Sequence, residues 1–296
     1  MANGDGMKHM MFFGFGFCAA ALAPSLKAQG WRLSATCRTP EKAAQLAAQN
    51  IEALIWPDEA AAFSVADLDG VTHGLISAPP EAAGDPVLAK AGAALAARAS
   101  ALQWLGYLST TGVYGDHGGA WIDEDTPPGR VGERGQKRVD AEAQWAQFGA
   151  QYELPIMYFR LAGIYGPGRN QLTSVANHTA RRIDKPGQVF SRIHVQDIAT
   201  ILAASIDQPN PGRAYNLCDD EPAPPQDVVA FAAELLGHEP PPLLPFETVS
   251  LSPMARSFYG DNKRTSNQRV KDELGVSLRY PNYRDGLTAL FNSKDY

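Results

Sequence analysis

The sequence is poor in cysteine and in clustered histidine. Its 296 residues contain three cysteines, Cys18, Cys37 and Cys218, and no CxxC pair, which argues against a disulfide framework and a zinc site. The six histidines lack the spacing of metal ligands, so we expect no metal site. A GxSxG nucleophile elbow and a P-loop are also absent. Widely spaced, reduced thiols indicate a cytoplasmic protein.

An excess of positive charge and long apolar runs are lacking as well. The chain has 26 basic and 32 acidic residues, a net charge of −6, which disfavours nucleic acid as a partner. The apolar run Met10–Phe17 is interrupted by Gly14 and Gly16, and it is far shorter than the roughly 20 residues that a membrane span needs. It also lacks the processing site of a signal peptide. We therefore expect no membrane association and interpret this run as a buried first strand.

Short apolar segments alternate with alanine-rich segments of helical character in the first two thirds of the chain. The expected strands are His9–Phe13, Arg32–Cys37, Ile51–Trp56, Val71–Ser77, Trp104–Ser109 and Ile156–Leu161. The expected helices are Cys18–Gln29, Pro40–Gln49, Pro80–Ser100 and Glu133–Ala150. Apolar strands separated by helices are typical of a parallel sheet covered on both faces. The sequence therefore predicts an α/β fold, a Rossmann-type doubly wound parallel sheet.

The character of the chain changes after Tyr165, where proline clusters replace the regular alternation. We predict a dinucleotide-binding Rossmann domain over residues 8–166, with its sheet completed by parts of residues 190–220. A smaller C-terminal substrate-binding lobe is expected over residues 167–296. Residues 1–7 are expected to form a disordered extension.

A glycine-rich turn follows the first strand and opens the first helix. Its sequence is Gly14-Phe15-Gly16-Phe17-Cys18-Ala19, a GxGxxA pattern. The first glycine permits the tight turn, the second allows the backbone to approach a pyrophosphate, and the small third residue lets helix and strand pack closely. The helix N-terminus offers N–H groups to the phosphates. This context favours dinucleotide binding over the alternative, an ordinary glycine turn.

The end of the second strand carries a basic residue. Arg38 stands about twenty residues after the glycine turn, where an acidic residue favours NAD and an arginine suits a 2′-phosphate. The alternative is a solvent-exposed arginine without a ligand. We predict NADP(H) as the cofactor.

Several segments together match the pattern of one superfamily. They are the GxGxxA turn, Leu108–Gly115 (LSTTGVYG), Arg160–Arg169 (RLAGIYGPGR), Ile193–Asp197 (IHVQD) and Ala214–Leu217 (AYNL). In this order they resemble the extended short-chain dehydrogenase/reductase superfamily, the NAD(P)-dependent epimerase/dehydratase group. The resemblance covers nearly the whole chain after residue 8.

The resemblance implies a catalytic arrangement from which this chain departs. Thr110 matches the Ser or Thr that helps to bind the reacting oxygen. The superfamily then has Tyr-x-x-x-Lys on the next helix, with Glu four residues later. Anchoring on Glu142 places Arg138 in the lysine position and Arg134 in the tyrosine position. Arg138 retains donors for a ribose, whereas Arg134 stays protonated and cannot replace the tyrosine as a proton donor.

Further site residues follow from the resemblance. Ser77, Ala78 and Pro79 are expected along the cofactor ribose. Asp85 resembles an acidic residue of an atypical branch of the superfamily, and with Thr110 and Tyr114 it completes the candidate catalytic set. The alternatives for catalysis are Tyr165, His117 and His194, each with a structural interpretation that we favour; the YxxxK string from Tyr259 to Lys263 lies outside the expected helix.

The start of the expected substrate lobe is rich in arginine. Arg169, Asn170 and Arg192 are the candidate substrate-binding residues, and Arg181 and Arg182 lie between them. Comparable positions in epimerases of the superfamily contact a nucleotide sugar, and arginine binds phosphate or carboxylate well. The alternative for each arginine is a solvated basic surface.

The leading hypothesis is an NADP-dependent, epimerase/dehydratase-like oxidoreductase with a non-standard active site. Its substrate is a small polar or anionic molecule, with a nucleotide sugar as one form. The alternative is a catalytically silent NADP(H)-binding sensor or partner-binding protein, because the Tyr-x-x-x-Lys pair is missing. Relatives often dimerise through the helices that flank the fifth strand, so the resemblance leaves a homodimer open.

Overall fold

The computed structural model describes residues 7–56, 61–129 and 131–296; residues 1–6 of the expected extension lie outside this range. The strands are β1 (His9–Phe13), β2 (Arg32–Cys37), β3 (Glu52–Ile55), β4 (His73–Ile76), β5 (Trp104–Thr110), β6 (Trp121–Ile122), β7 (Ile156–Leu161), β8 (Gly163–Tyr165), β9 (Arg182–Asp184), β10 (Arg192–His194), β11 (Ala214–Leu217), β12 (Leu243–Pro245) and β13 (Arg264–Thr265). The helices are α1 (Phe17–Ala28), α2 (Pro40–Ala47), α3 (Pro86–Ala97), α4 (Glu133–Tyr152), α5 (Gln171–Ala176), α6 (Val195–Asp207), α7 (Pro225–Leu235), α8 (Pro253–Phe258), α9 (Gln268–Leu274) and α10 (Tyr283–Ser293). Within the described ranges, no helix has both the length and the apolar character of a membrane span.

Seven strands form the central sheet in the order β11-β7-β5-β4-β1-β2-β3. β1 pairs in parallel with β2 on one side and with β4 on the other, so the strand order reverses at β1. β1 is buried along its whole length, as expected for a central strand of a sheet covered on both faces. The predicted α/β fold with a Rossmann-type parallel sheet is confirmed. Ligands of such sheets bind where the strand order reverses, at the carboxyl ends of the strands.

Local capping signals fix where the helices next to the sheet begin. Thr39 caps α2 by accepting a hydrogen bond from the Lys42 N–H at 3.3 Å, and Pro40 occupies the first turn. Asp85 caps α3 in the same way, with Pro86 directly after it. A side-chain acceptor followed by proline satisfies one of the unpaired N–H groups and pre-sets the backbone for a helix.

The chain divides into two compact units, each built from three stretches of sequence. Unit 1 takes in residues up to Ser109, Lys137–Phe159 and Leu202–Ala214; unit 2 takes in Thr110–Gln136, Arg160–Ile201 and Tyr215–Tyr296. The boundary expected between residues 166 and 167 stays a prediction. The core of unit 1 is apolar and includes Met11, Phe13, Leu105, Trp145 and Ile156. The core of unit 2 packs α5, α7 and α10 around Tyr165 and includes Leu172, Val228, Tyr283 and Leu287.

A bulky indole in β5 depends on a glycine two residues later. The fully buried Trp104 donates from Nε1 to Ser205 Oγ at 3.2 Å. A Cβ atom at Gly106 would lie 2.2 Å from Trp104 Cη2. Residues two apart on a strand face the same side, so the ring covers the place that a Gly106 side chain would take.

We expect Gly106→Ala to lower the free energy of unfolding by about 1–3 kcal/mol, because the added methyl group overlaps a fully buried ring. Urea unfolding followed by circular dichroism measures this change. The matched control is Gly92→Ala in α3, where the new Cβ would lie 3.4 Å from Leu88 Cδ1 and 3.5 Å from Phe148 Cζ, in ordinary contact. Alanine favours a helix by up to about 1 kcal/mol over glycine, so Gly92→Ala is neutral or stabilising. Equal destabilisation by both substitutions would contradict the packing argument.

Candidate functional site

The glycine turn after β1 is held by one side chain from each neighbouring strand. The Gly14 N–H donates to Thr36 Oγ1 of β2 at 2.8 Å, and Ser77 Oγ, directly after β4, donates to the Gly14 carbonyl at 2.8 Å. Gly14 has a φ of +92°, and a Cβ there would lie 2.9 Å from Ser77 Oγ. Both the backbone conformation and the close approach therefore require glycine at this position.

The rest of the turn leads directly into α1. Gly16 is the residue before α1, and apart from its chain neighbours no atom of the described residues lies within 4 Å of the place of its Cβ, so its backbone is open on that side. Ala19 is fully buried, as expected of the small third residue of the pattern. Phe15 packs edge-on against Phe12 with ring centroids 5.3 Å apart. The geometry fits a dinucleotide pyrophosphate at the N-terminus of α1.

Two cations lie in the segment that follows β2. Arg38 is exposed directly after the strand, and the Lys42 ammonium on the first turn of α2 lies 5.8 Å from the centre of the Phe15 ring. The sequence analysis did not identify Lys42 as a candidate cofactor-binding residue, because it lies outside the GxGxxA pattern. The available signal was its position four residues after Arg38, directly after a Thr-Pro capping signal and Glu41. Ser77, Ala78 and Pro79 follow β4, where the N–H groups of Ser77 and Ala78 both donate to the Phe13 carbonyl, at 3.0 and 3.2 Å.

Asp85 has a structural task. Its Oδ1 accepts hydrogen bonds from the N–H groups of Val87 and Leu88 at 2.9 and 3.0 Å, which caps α3. Burial raises the pKa of this carboxyl group, and the hydrogen bond from Leu88 opposes the rise. A catalytic role for Asp85 stays a prediction.

Arg138 is bound to the end of β5 within unit 1. Its Nη1 donates to the Leu108 carbonyl at 2.9 Å and to the Tyr107 hydroxyl at 3.2 Å. Burial raises the pKa of Tyr107 to about 12, although the positive charge of Arg138 acts in the opposite direction. The guanidinium therefore supports the strand, and its expected contact with a cofactor ribose stays a prediction.

Thr110 begins the short turn Thr111–Tyr114 in unit 2. Its Oγ1 accepts a hydrogen bond from the Gly112 N–H at 3.1 Å. This bond uses an oxygen lone pair, and a hydroxyl group has a hydrogen to donate as well. The expected role of Thr110 toward a reacting oxygen is compatible with this geometry and stays a prediction.

Tyr114 lies in a buried polar network of unit 2. Its hydroxyl donates to Asn216 Oδ1 at 2.7 Å and accepts from Arg160 Nη1 at 2.8 Å. The Asn216 N–H donates to Glu124 Oε1 at 2.7 Å, and Glu124 Oε2 is 3.7 Å from Arg269 Nε. Burial raises the pKa of Tyr114 to about 12, whereas an efficient general acid has a pKa near the working pH. The geometry favours a structural role, and the catalytic role stays a prediction.

The candidate substrate-binding residues differ in accessibility. Arg169 is exposed, while Asn170 caps α5, accepting from the Thr173 N–H at 2.9 Å. Arg192 Nη1 donates to the carbonyls of Phe190 and Ala223 at 2.8 and 3.1 Å. Burial lowers the pKa of Arg192 and raises that of the neighbouring Asp219 to about 8. Substrate binding by these three residues stays a prediction.

The IHVQD segment connects β10 and α6 to the stretch before α10. His194 Nδ1 accepts from the Gln196 N–H at 3.2 Å, and its ring lies between Tyr165 and Tyr280, with centroids 5.1 and 4.2 Å away. Asp197 accepts from the N–H groups of Arg279 and Tyr280 at 2.7 and 3.1 Å. These contacts support the structural interpretation of His194 over the catalytic one.

The literal YxxxK string is a connecting segment. Tyr259 lies just past the end of α8, so the string lacks the helical spacing of a catalytic pair. Lys263 Nζ donates to the Gly115 carbonyl at 2.8 Å, and the Asn262 carbonyl accepts from the His117 N–H at 3.0 Å. His117 Nε2 is 3.1 Å from the Tyr114 carbonyl. Over the described part of the chain, no group of His, Cys, Asp or Glu has the arrangement of a metal site.

These features correspond to a known family. The model of the NAD dependent epimerase/dehydratase family matches residues 14–218, a stretch that starts at the first glycine of the turn. The chain belongs to this family. Membership confirms the resemblance to the extended short-chain dehydrogenase/reductase superfamily.

Three known proteins are similar to this chain over most of its length. A solved structure of a functionally unknown conserved protein from Silicibacter pomeroyi is 53% identical, with a TM-score of 0.91 over 98% of this chain and 100% of that one. Protein YeeZ of Escherichia coli is 29% identical over 289 residues, 93% of this chain and 97% of YeeZ. A 3-diazoavenalumate denitrifying reductase of a Streptomyces species is 27% identical over 302 aligned residues, 90% of this chain and 94% of the reductase.

We expect Tyr114→Phe to lower the free energy of unfolding by about 1–3 kcal/mol, because it removes the hydrogen bond to the buried Asn216 Oδ1 and one hydrogen bond from Arg160. Chemical denaturation measures the change. The matched control is Tyr152→Phe at the end of α4, where the tyrosine is 37% exposed. We expect this substitution to change the free energy of unfolding by less than about 0.5 kcal/mol. A Tyr114→Phe protein of wild-type stability would contradict the network.

We expect acid to destabilise the protein through His194. Burial, assisted by the positive charge of Arg279, lowers the pKa of His194 from 6.5 to about 4. The unfolded chain therefore binds more protons between these values, so the stabilisation is complete above pH 6.5 and is lost as the pH falls to about 4. His194→Asn retains an acceptor for the Gln196 N–H and removes the titration. Urea unfolding across this pH range should show a shallower decline for His194→Asn, by on the order of 1–3 kcal/mol; parallel declines would contradict the assignment.

Proposed function

We propose that this family member is an NADP(H)-dependent oxidoreductase that acts on a small polar or anionic substrate without a tyrosine as proton donor. The observation that carries the proposal is the pair of cations at the end of β2, next to the glycine turn. The family is NAD dependent by its description, so the choice between the two cofactors depends on the residues at this strand end.

The residues of unit 1 fit such a cofactor. The open backbone at Gly16 and the N-terminus of α1 would hold the pyrophosphate, because helix N–H groups and the helix dipole favour anions. Arg38 and Lys42 would bind the 2′-phosphate through their positive charges. When bound, the nicotinamide supplies or accepts a hydride.

The missing tyrosine limits the chemistry that the chain's own residues can perform. The guanidinium of Arg134 stabilises negative charge but does not release a proton near neutral pH. A substrate that is already electron-poor accepts a hydride without a proton from the protein, and the anion that forms takes its proton from water. The Streptomyces relative is a reductase that acts on a diazo compound, and its name favours this type of reduction here over epimerisation.

The alternative function is a catalytically silent NADP(H)-binding sensor or partner-binding protein. The observation in its favour is the pair of arginines at the positions of the catalytic tyrosine and lysine. Incubating the protein with NADPH and electron-poor aromatic acids, and following the nicotinamide absorbance against an enzyme-free reaction, separates the two functions. Tight NADPH binding without oxidation of NADPH by any of these acids would favour the sensor.

We expect NADPH to bind more tightly than NADH, and Arg38→Gln to weaken NADPH binding by about 10–100-fold, since a charge-assisted contact to the 2′-phosphate is lost. Lys42→Gln should act in the same direction. Fluorescence titration of the bound nicotinamide measures both.

The control for Arg38 is an arginine at the other end of the same strand. Arg32 begins β2 and forms an exposed ion pair with Glu52 at 2.6 Å. Arg32→Gln should leave the affinities for NADPH and NADH unchanged, and Arg38→Gln should leave NADH binding unchanged. Stronger binding of NADH than of NADPH by the wild-type protein would rule out the role of Arg38.

A further inference from the structure

The first turn of α4 is pressed against the turn at the end of β5. A Cβ atom at Gly135 would lie 2.6 Å from the Gly112 carbonyl oxygen, so the two backbones are in contact. Gly112 in turn donates its N–H to the Thr110 hydroxyl. This contact holds Arg134, the residue before Gly135, next to the turn that carries Thr110.

Arg134 is exposed and lies over an aromatic ring of α8. Its guanidinium carbon lies 5.1 Å from the centre of the Phe258 ring. Among the residues that the structure describes, no carboxylate or carbonyl oxygen is bonded to this guanidinium. Another exposed arginine in unit 2 differs in this respect: Arg284 stacks on Tyr283 at 4.5 Å but is also paired with Glu221.

The ring that Arg134 contacts belongs to an exposed apolar surface. Phe258 is 54% exposed and Met254, four residues earlier on α8, is 63% exposed. Residues four apart lie on the same face of a helix, so the two side chains form one patch. Large apolar side chains that are exposed together often mark a binding surface.

We propose that Arg134 and Phe258 bind the substrate, and that the substrate is a planar aromatic carboxylate. The inference rests on the proposed function, since it names the substrate class of that oxidoreductase. The contact with Phe258 offers no carboxylate or carbonyl acceptor to the guanidinium N–H groups of Arg134, and these groups match a carboxylate in a bidentate pair. The aromatic body of the substrate packs against the remaining surface of Phe258 and Met254.

The apolar patch distinguishes this class from other anions. A nucleotide sugar presents phosphate and hydroxyl groups, which gain little from contact with phenylalanine and methionine side chains. An aromatic acid gains from both parts of the site, because its charge meets Arg134 and its ring meets the patch. Arg134 then serves as a specificity-determining residue at the position where relatives have a catalytic tyrosine.

The test uses full-length protein saturated with NADPH and the probe 4-hydroxycinnamate, with its uncharged amide as the comparison ligand. Isothermal titration calorimetry should show the acid binding at least about tenfold more tightly than the amide. Arg134→Gln should weaken the acid by about tenfold or more and bring it to the affinity of the amide. Phe258→Leu should weaken acid and amide by the same factor. Arg284→Gln, at the matched arginine that lies over Tyr283, should change neither.

Each outcome decides between the two proposals. Equal affinity of the wild-type protein for acid and amide, binding of neither, or an Arg134→Gln protein that still prefers the acid would overturn the carboxylate site. NADPH binding is measured in every variant by the same fluorescence titration. If the wild-type protein does not bind NADPH, the proposed function fails; if NADPH binds throughout but the acid shows no dependence on Arg134, only this inference fails. Thermal unfolding confirms that the exposed substitutions leave the protein folded.

Discussion

The backbone turn at Gly14 is the constraint on which the cofactor-binding half of the molecule depends. The turn needs a positive φ, a hydroxyl from Thr36 on one side and a hydroxyl from Ser77 on the other. Both hydroxyls are available because β1 lies between β2 and β4, where the strand order reverses. The same reversal creates a crevice outside the carboxyl ends of β1 and its neighbours. The N-terminus of α1 and the cations after β2 both lie at this end of the sheet. The fold of this region and the proposed binding geometry therefore depend on the same strand order.

The regular elements of unit 1 could be predicted because their signals are local. The strands β1 and β2 have the predicted bounds, and α1 begins one residue before the predicted helix. The third predicted helix, residues 80–100, was too long: Glu81 and Gly84 form a bridge, and only Asp85 and Pro86 provide the capping signal that starts α3. Alanine-rich composition gave no indication of this start, since it describes the interior of a helix and says little about its ends.

The partners of the polar side chains could not be predicted, because they are distant in sequence. Tyr114 contacts Asn216 and Arg160, and no spacing rule connects these positions. A tyrosine on a motif therefore looks the same in the sequence whether its hydroxyl faces a substrate or a buried amide. The same holds for Lys42, because only the fold shows that its ammonium group lies 5.8 Å from the centre of the Phe15 ring. Side-chain chemistry was readable from the sequence, whereas accessibility required the fold.

The proposed assignment of Arg134 to the tyrosine position describes how a fold can keep a site while changing its chemistry. The backbone contact between Gly135 and Gly112 holds position 134 near Thr110, whichever side chain residue 134 carries. A phenol there exchanges a proton; a guanidinium there binds an anion and keeps its charge. In the proposed function, an arginine at this position removes proton exchange and supplies anion binding at the same place. A substrate suited to this site carries its own negative group for Arg134 and an acceptor that needs no proton from the protein. The two proposals thus set independent requirements that one molecule must satisfy, and together they would narrow the substrate class more than the family alone does.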